Sequence, residues 1–333
     1  MEAYIKELLK QANKSVYQRN LTGSPLNIIM IASAFEENLE TYLERGEISL
    51  PGKLDILYLY ETFAERKIHT DETEKKMEDF TNASLPDDHE MLKEIQEKLE
   101  KCSLLVTLPS ELNPLRVEEI QTKIQPFVEK LQTGKDKICT AMKVKEKRPH
   151  FMHRSIAEYF TARWFSKNIE SNRSILEHIL FDCSYAIVRN IFDRILARDS
   201  PLHCAVLEED AKKVITLIRE ECNVSALDKG GRTVMHLIAI HHSKCWDVIN
   251  DNCNYEVSLD TRDCVLQWTP LQYAIKSQNW FMVERLLERN VDRSGLDMIR
   301  QRAQDQHCIN TVIMHAEKYG HLSLLEFLRT IGM

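Results

Sequence analysis

Four related segments decide the fold of the last third of the sequence. The clearest is Thr269-Pro270-Leu271-Gln272-Tyr273-Ala274, and similar segments begin at Ser200, Thr233 and Thr311. In chain order these starting positions are separated by 33, 36 and 42 residues. Apolar stretches follow in three of the units, at Val214–Ile218, Val283–Leu287 and Leu324–Leu328. A unit that returns at such a spacing predicts an array of similar helical units, each packed on its neighbour.

The opening of each unit has the chemistry of a helix start. Ser or Thr can cap a helix, Pro fits its first position, and the later Ala allows neighbouring units to stack closely. A period near 33 residues that opens with T-P-L-H-x-A resembles the ankyrin repeat, a β-turn followed by two antiparallel helices. Val234 replaces the proline of the second unit, and Val312, Ile313 and Met314 replace P-L-H in the fourth. We expect about four ankyrin repeats over residues 198–333, the last ones degenerate, with an insertion around 294–308.

Composition excludes several classes of protein. The chain has 333 residues, of which 43% are hydrophobic and 29% charged, as in ordinary globular proteins of two or three domains. Its formal net charge of −7 has the wrong sign for a dedicated binder of duplex DNA or of anionic membranes. We therefore expect neither a nucleic-acid partner nor a membrane partner.

The cysteines and the N-terminus indicate the compartment. The nine cysteines are an odd number without a CxxC pair, which is typical of a reduced chain inside the cell. The first residues lack the basic and apolar regions that are typical of a signal peptide, and the most apolar run, Leu26–Phe35, is too short to span a bilayer. His241, His242 and Cys245, with Cys253 and Cys264 downstream, are of residue types that bind zinc, but their spacing matches no zinc signature. We expect a cytoplasmic protein without a metal site.

Capping signals predict that the first hundred residues are helical. Ser24 can cap a helix, Pro25 fits its first position, and Gly46 can end it in the left-handed conformation. Apolar residues three or four apart predict further helices over 54–67, 72–80 and 89–100. A helical domain is therefore expected over residues 1–100.

A different pattern lies between Cys102 and His153. Ile138–Val144 alternates loosely with a period of two, and His150-Phe151-Met152 follows a basic turn, so a small hairpin is predicted. Ser155 and Glu158 have the spacing of a capping box, which predicts the start of a further helix.

This part of the chain resembles a known family. Phe151 to Ala162 looks like the F-x-H-x-S-x-x-E-Y-F-x-A segment that closes the winged-helix part of NACHT-type (STAND) signal-transducing NTPases, and Gly23-Ser24-Pro25-Leu26 resembles their G-x-P-L element. The order of these segments and the repeats is similar to that of NACHT and ankyrin proteins of the innate-defence type. The resemblance implies a winged-helix-like segment over 101–170 and a helical linker over 171–197. The expected fold class is mainly α: a helical bundle with a small winged-helix segment, followed by a short ankyrin-repeat solenoid.

No phosphate-binding loop accompanies the resemblance. A P-loop needs G-x-x-x-x-G-K-[ST], and neither Gly52-Lys53 nor Gly134-Lys135 has the required neighbours. The chain therefore resembles the part of such an NTPase that follows its nucleotide-binding core. We expect it to be no enzyme and to hold no cofactor by itself.

The resemblance implies roles for two residues if a P-loop lies upstream in a longer chain. His153 would then contact the β-phosphate of bound ADP, and Pro25 would pack near the adenine of ADP or ATP. The residues themselves support plainer roles, because a polar residue before a helix satisfies backbone groups and a first-turn proline is ordinary. Both interpretations stay open from the sequence.

Two functions from different classes fit these patterns. The first is a non-catalytic adaptor that binds a protein partner through the turns of its ankyrin repeats, with these contact positions: Asp199, Lys229, Arg232, Gln267 and Trp268. The second is the regulatory half of a nucleotide-switched NACHT NTPase in innate-defence signalling. A DNA-binding winged helix is a weaker third, because the helix after Ser155 offers only Arg163 as a basic residue. Self-association is also open, since the fourth repeat ends in Leu328, Ile331 and Met333 without a polar cap.

Overall fold

A computed structural model describes most of the chain, and the fold is mainly helical, as predicted. The described residues are 6–7, 25–46, 55–66, 88–133, 142–145, 148–252, 258–289 and the single positions 313, 314, 317, 318, 320, 322, 325 and 326. The chain divides into two compact units, one formed by 1–168 with 186–195 and the other by 169–185 with 196–333. The helix predicted over 72–80 lies outside the described residues.

Two helices replace the single helix predicted between Pro25 and Gly46. Pro25 opens α1 (Pro25–Ala34), and Gly46 ends α2 (Glu36–Arg45) with a φ of 74°, both as predicted. Between them Phe35 has a φ of −115° and a ψ of 13°, which interrupts the regular helical conformation there. The buried Phe35 ring lies 6.3 Å from Tyr58 of α3, which covers residues 56–66. The predicted cap Ser24 lies outside the described residues.

The next helix is longer than predicted. α4 (Asp88–Thr107) continues past residue 100 because Ile95, Leu99 and Cys102, spaced four and three residues apart, lie on one buried face. The domain boundary expected at residues 100 and 101 therefore falls inside α4. α5 follows as a continuous helix built from three stretches, Val117–Glu119, a π-helical turn at Ile120–Ile124, and Gln125–Gln132.

The predicted hairpin is present. β1 (Met142–Lys145) pairs antiparallel with β2 (Arg148–Phe151), and Met142 lies opposite Phe151. The first strand was expected to begin at Ile138, and residues 138–141 lie outside the described part of the chain.

The capping box predicted for the next helix is wrong. α6 (Arg154–Lys167) has His153 at its N-cap, with extended backbone, and His153 Nδ1 accepts the Ser155 N–H at 3.1 Å. Because the extended residue is His153, Ser155 already lies inside the first turn. Glu158 pairs instead with Arg154 at 3.0 Å.

The packing of α4 against α6 forms the centre of the first unit. Tyr159 of α6 stacks on Tyr60 of α3, with ring centroids 5.4 Å apart and planes 9° from parallel. Between α4 and α6, buried Ser103 donates to the Glu100 carbonyl at 2.7 Å and lies 3.0 Å from the Thr161 hydroxyl. These buried hydroxyl groups are therefore hydrogen-bonded and carry no unpaired polar atom into the core.

The second unit contains α7 (Arg173–Phe181) and three helix pairs. The pairs are α9 (Pro201–Leu207) with α10 (Ala211–Arg219), α11 (Val234–His241) with α12 (Cys245–Asn252), and α13 (Pro270–Lys276) with α14 (Trp280–Leu287). The intervening helix α8 (Ala186–Ala197) is grouped mostly with the first unit. Residues 171–197 were expected to form one linker, but α7 belongs with the repeats.

The fourth repeat is described only at isolated positions, so its existence stays a prediction. None of the helices in the described ranges combines the length and apolar composition that a membrane span needs.

Candidate protein-interaction surface

Each turn between the helix pairs is organised by one aspartate. In the turn over residues 228–232, Asp228 Oδ1 accepts the N–H groups of Gly230 and Arg232 at 2.8 and 3.0 Å. In the turn over residues 263–268, Asp263 Oδ1 accepts the N–H of Trp268 at 3.0 Å and that of Leu266 at 3.1 Å. The carboxylates therefore fix the shapes of the two turns, which differ in length by one residue.

Backbone hydrogen bonds connect the first turn to the end of α8 and the second turn to the first. The N–H of Lys229 donates to the carbonyl of Leu196 at 3.1 Å, and the N–H of Cys264 donates to the carbonyl of Gly230 at 2.8 Å. Gly230 lies so close to its neighbours that a Cβ there would come within 2.8 Å of Leu196 and 2.9 Å of Val265. The turns consequently form a continuous edge along the repeats.

Two histidines join neighbouring repeats. His203 Nε2 lies 2.8 Å from the carbonyl of Arg232, and His236 Nε2 lies 3.0 Å from the carbonyl of Trp268. His236 Nδ1 accepts the N–H of Thr233 at 3.1 Å, so its proton lies on Nε2, which donates to the next repeat. Burial lowers the pKa of both histidines, and the neutral imidazole is the form that these bonds need.

The helix starts follow the predicted capping only in part. Thr269 and Gln272 form a capping box, in which the N–H of Thr269 donates to Gln272 Oε1 at 2.9 Å. Ser200, the corresponding residue of the first repeat, makes no side-chain capping bond. Proline is the first helical residue of α9 and α13, as predicted.

Two of the predicted contact residues meet at the surface. Lys229 Nζ lies 2.9 Å from Asp199 Oδ2, and the two side chains are 56% and 68% exposed. This ion pair links the turn of the second repeat to the chain just before the first. Because both side chains are mostly solvated, a partner can reach either charge, and the pair adds little to stability.

A third predicted contact residue is buried, and its assignment to a partner is corrected. Arg232 has no exposed surface, and its guanidinium lies 2.8 Å from the equally buried carboxylate of Asp228. The buried guanidinium neutralises the Asp228 carboxylate, which would destabilise the fold if it were buried without a counterion. Arg232 is therefore a structural residue of its turn.

The remaining two predicted residues end the turn of the third repeat. Gln267 is exposed and has a φ of 63°, a left-handed conformation that in the previous turn is taken by Gly231. Trp268 is half-buried, and its ring centroid lies 5.8 Å from those of both Phe181 and Tyr273. Lys276 Nζ lies 5.9 Å from the Trp268 ring centroid.

Helix α7 contributes to this surface, which sequence reasoning missed. Glu177 forms an ion pair with Lys276 of α13, and Phe181 packs on Trp268 and Tyr273. An open cleft of about 530 Å³ lies between α7 and α13, and it is lined by Ser174, Glu177, His178, Phe181, Asp182 and Lys276. Nothing in the repeat pattern pointed to α7, because it precedes the first repeat. The spacing of Leu176, Ile179 and Leu180 predicts a helix with one buried face, but it does not indicate which residues the opposite face contacts.

The residues assigned by resemblance to nucleotide binding lie in the first unit. His153 is exposed and its Nδ1 is engaged in capping α6, which agrees with the plainer interpretation. Pro25 is the first residue of α1. In the described part of the chain no three His, Cys, Asp or Glu side chains cluster so as to hold a metal ion.

The geometry of the second unit defines a stack of helix pairs joined by aspartate-organised turns, the architecture of a repeat solenoid. Comparison with known families identifies the repeats, since residues 202–297 match ankyrin repeats (3 copies). Neither the curated proteins nor the solved structures contain a significant match to the chain. The family match does not extend over the front of the chain, so the resemblance to NACHT-type NTPases stays a prediction.

Proposed function

We propose that this protein is a non-catalytic cytoplasmic adaptor that binds a protein partner through its ankyrin repeats. The observation that carries the proposal is the placement of Asp199, Lys229 and Gln267, which are exposed on a continuous edge of turns. Stacked repeats present such edges as extended binding surfaces, and ankyrin repeats generally serve as protein-interaction modules. The buried ion pair of Asp228 and Arg232 and the histidine bonds hold this edge in place.

The pair formed by Asp199 and Lys229 allows a sharp test. We expect a charge-swapped variant, Asp199→Lys with Lys229→Asp, to regain the ion pair but to present reversed charges to a partner. Proteins that crosslink to the full chain in cells should be lost in either single reversal and in the swapped variant. Recovery of the same crosslinks in the swapped variant would mean that the pair only supports the turn, and would count against the proposal.

Charge reversals elsewhere on the repeats provide the matched controls. Lys212 of α10 and Asp247 of α12 are exposed residues away from the turns. Lys212→Glu and Asp247→Lys alter the net charge by the same amounts as the single reversals. They should leave the set of crosslinked proteins unchanged, because they lie away from the turns.

A second function is proposed as an alternative, because β2 and α6 contain the segment Phe151 to Ala162 that resembles NACHT-type NTPases. In this alternative the chain is the regulatory half of a nucleotide-switched NTPase, with His153 contacting phosphate. What supports it is the exposure of His153, a side chain whose Nδ1 bonds to Ser155. Titration calorimetry with ADP tests it, and heat of binding that disappears in His153→Asn is the expected result for this alternative. Asn keeps a capping oxygen, so helix α6 should remain intact.

A further inference from the structure

Helix α7 has two opposite faces with different surroundings. Leu176, Ile179 and Leu180 are buried, with at most 1% of each side chain exposed. The opposite face carries Glu177 and Phe181, together with the other cleft residues of α7. Because the apolar face is buried, α7 is a fixed wall of the cleft rather than a loose segment lying across it.

The charges in the cleft do not cancel. The ammonium group of Lys276 is neutralised by Glu177, with which it forms an ion pair. The negative charge of Asp182 is less well neutralised than that of Glu177. Its carboxylate accepts the N–H of Ser184 at 2.7 Å and lies 3.4 Å from His178 Nε2. The Ser184 N–H lowers the pKa of Asp182, so this carboxyl group is ionised at neutral pH. His178 adds positive charge only when it is protonated.

Two further features of the cleft favour a cation. The first is the C-terminal end of α7, which falls at Phe181 and Asp182, where the carbonyls of the last turn carry partial negative charge. The second is the aromatic ring of Phe181, which lines the cleft and packs on the Trp268 ring beside it. The Trp268 ring already has one cation near it, the ammonium group of Lys276. Cations are attracted to the faces of such rings, and a guanidinium group can in addition stack on them.

We propose that the cleft between α7 and α13 binds an arginine side chain on a basic segment of the partner protein. The guanidinium group would pair with Asp182 and stack on the Phe181 ring at the end of α7. Arginine fits better than lysine because a planar guanidinium can bond a carboxylate with two N–H groups while it stacks on an aromatic ring. This inference rests on the proposed function and adds the chemistry of the partner to it.

Labelled peptides test the inference on the full chain. Short fluorescein-labelled, alanine-rich peptides that differ only in a central Arg, Lys, Gln or Glu are titrated with the protein, and binding is measured by fluorescence anisotropy. We expect the Arg peptide to bind about tenfold more tightly than the Gln peptide and more tightly than the Lys peptide, with the Glu peptide weakest. Equal binding of the Arg and Gln peptides, equal binding of the Arg and Lys peptides, or no binding of any peptide would overturn the proposal.

Variants of the chain locate the binding. Asp182→Asn should abolish the preference for Arg over Gln, and the amide oxygen can still accept the Ser184 N–H, so the turn after α7 is kept. Glu170→Gln removes an exposed carboxylate from the same segment but outside the cleft and should leave the preference unchanged. A preference for Arg that persists in Asp182→Asn would place the binding elsewhere and contradict the proposal.

Failure of this inference can be told apart from failure of the proposed function. If the peptides show no Arg preference but the crosslinked partners still depend on Asp199 and Lys229, the repeats bind protein through their turns and the cleft is not part of the surface. If the crosslinks are indifferent to the turns, the proposed function itself fails.

Discussion

Arg232 and Asp228 form an ion pair from which water is excluded, with the guanidinium 2.8 Å from the carboxylate and neither side chain exposed. The same carboxylate binds two N–H groups of its turn through its other oxygen. Asp228 therefore neutralises Arg232 with one oxygen and fixes the backbone conformation of the turn with the other. Removal of either partner leaves a buried charge without its counterion.

The first prediction contrasts this pair with the exposed pair nearby. Arg232→Ala should lower the free energy of unfolding by about 3–5 kcal/mol, because Asp228 would remain buried and unpaired. Lys229→Ala should lower it by less than about 1 kcal/mol, since its pair with Asp199 is solvated. Urea denaturation of the full chain measures both. Similar losses in the two variants would contradict the burial of Arg232.

The second prediction concerns left-handed residues between paired helices. Glu209 and Gln278 have φ values of 47° and 59°, a conformation that glycine adopts without a steric penalty. Glu209→Gly and Gln278→Gly should each raise the free energy of unfolding by up to about 1 kcal/mol, and their effects should add because the sites lie in different repeats.

Gly231 gives the opposite case for the same measurement. Its φ is 69°, and an added Cβ would come within 2.8 Å of Cys264 Sγ, so Gly231→Ala should destabilise the protein. A loss of stability in both Glu209→Gly and Gln278→Gly would show that backbone strain is not relieved at these positions.

The third prediction is a loss of stability in mild acid. Burial lowers the pKa of His203 and His236 below the ordinary value of 6.5, so below about pH 6.5 the unfolded chain binds more protons than the folded chain. Stability should therefore fall as the pH decreases through this value, and continue to fall down to the lowered pKa of each folded histidine. Thermal unfolding between about pH 7.5 and about pH 5.5 measures the effect.

A variant of His203 tests whether this histidine causes the loss of stability in mild acid. His203 Nδ1 is buried and finds no hydrogen-bond partner among the described residues, so a proton there would be unsatisfied. His203→Gln keeps a side-chain N–H for the Arg232 carbonyl but does not titrate, and its loss of stability over the same pH range should be smaller than that of the wild type. An unchanged pH dependence would exclude His203 as a contributor.

The fourth prediction tests the cap of α6. His153→Ala should lower the free energy of unfolding by about 0.5–2 kcal/mol, because the Ser155 N–H loses its acceptor. His153→Asn should restore most of this loss, since its side-chain oxygen can accept the same N–H. Met152→Ala, an exposed neighbour, is the control. Equal stability of His153→Ala and the wild type would show that the His153 side chain does not stabilise the start of α6, as expected if Ser155 is the capping residue.

The sequence predicted the repeats well because their helix starts and spacing are local patterns. Asp199, Lys229 and Gln267 are exposed, and their contact with a partner stays a prediction. The prediction failed for Arg232, since a charged residue next to a turn is exposed in most proteins, and only the position of Asp228 shows that this one is neutralised inside. The helix cap at His153 was missed for a similar reason, because Ser155 and Glu158 had the right spacing while the backbone became extended at the residue before Arg154.

The part of the surface contributed by α7 could not be predicted from periodicity. Glu177 is 99 residues from its partner Lys276, and no pattern in the sequence connects positions so far apart. A nucleotide-dependent role of the front of the chain stays a prediction, which the ADP titration tests.

The burial of one face of α7 has a practical consequence for binding screens. A recombinant fragment that starts at Asp199 would keep all three matched repeats, but it would lose Glu177, Phe181 and Asp182 and so remove one side of the cleft. The carboxylate of Asp182 and the ring of Phe181, to which the arginine side chain is proposed to bind, would then be absent. A library screened against such a minimal fragment would therefore miss the basic ligands that the full chain is proposed to bind.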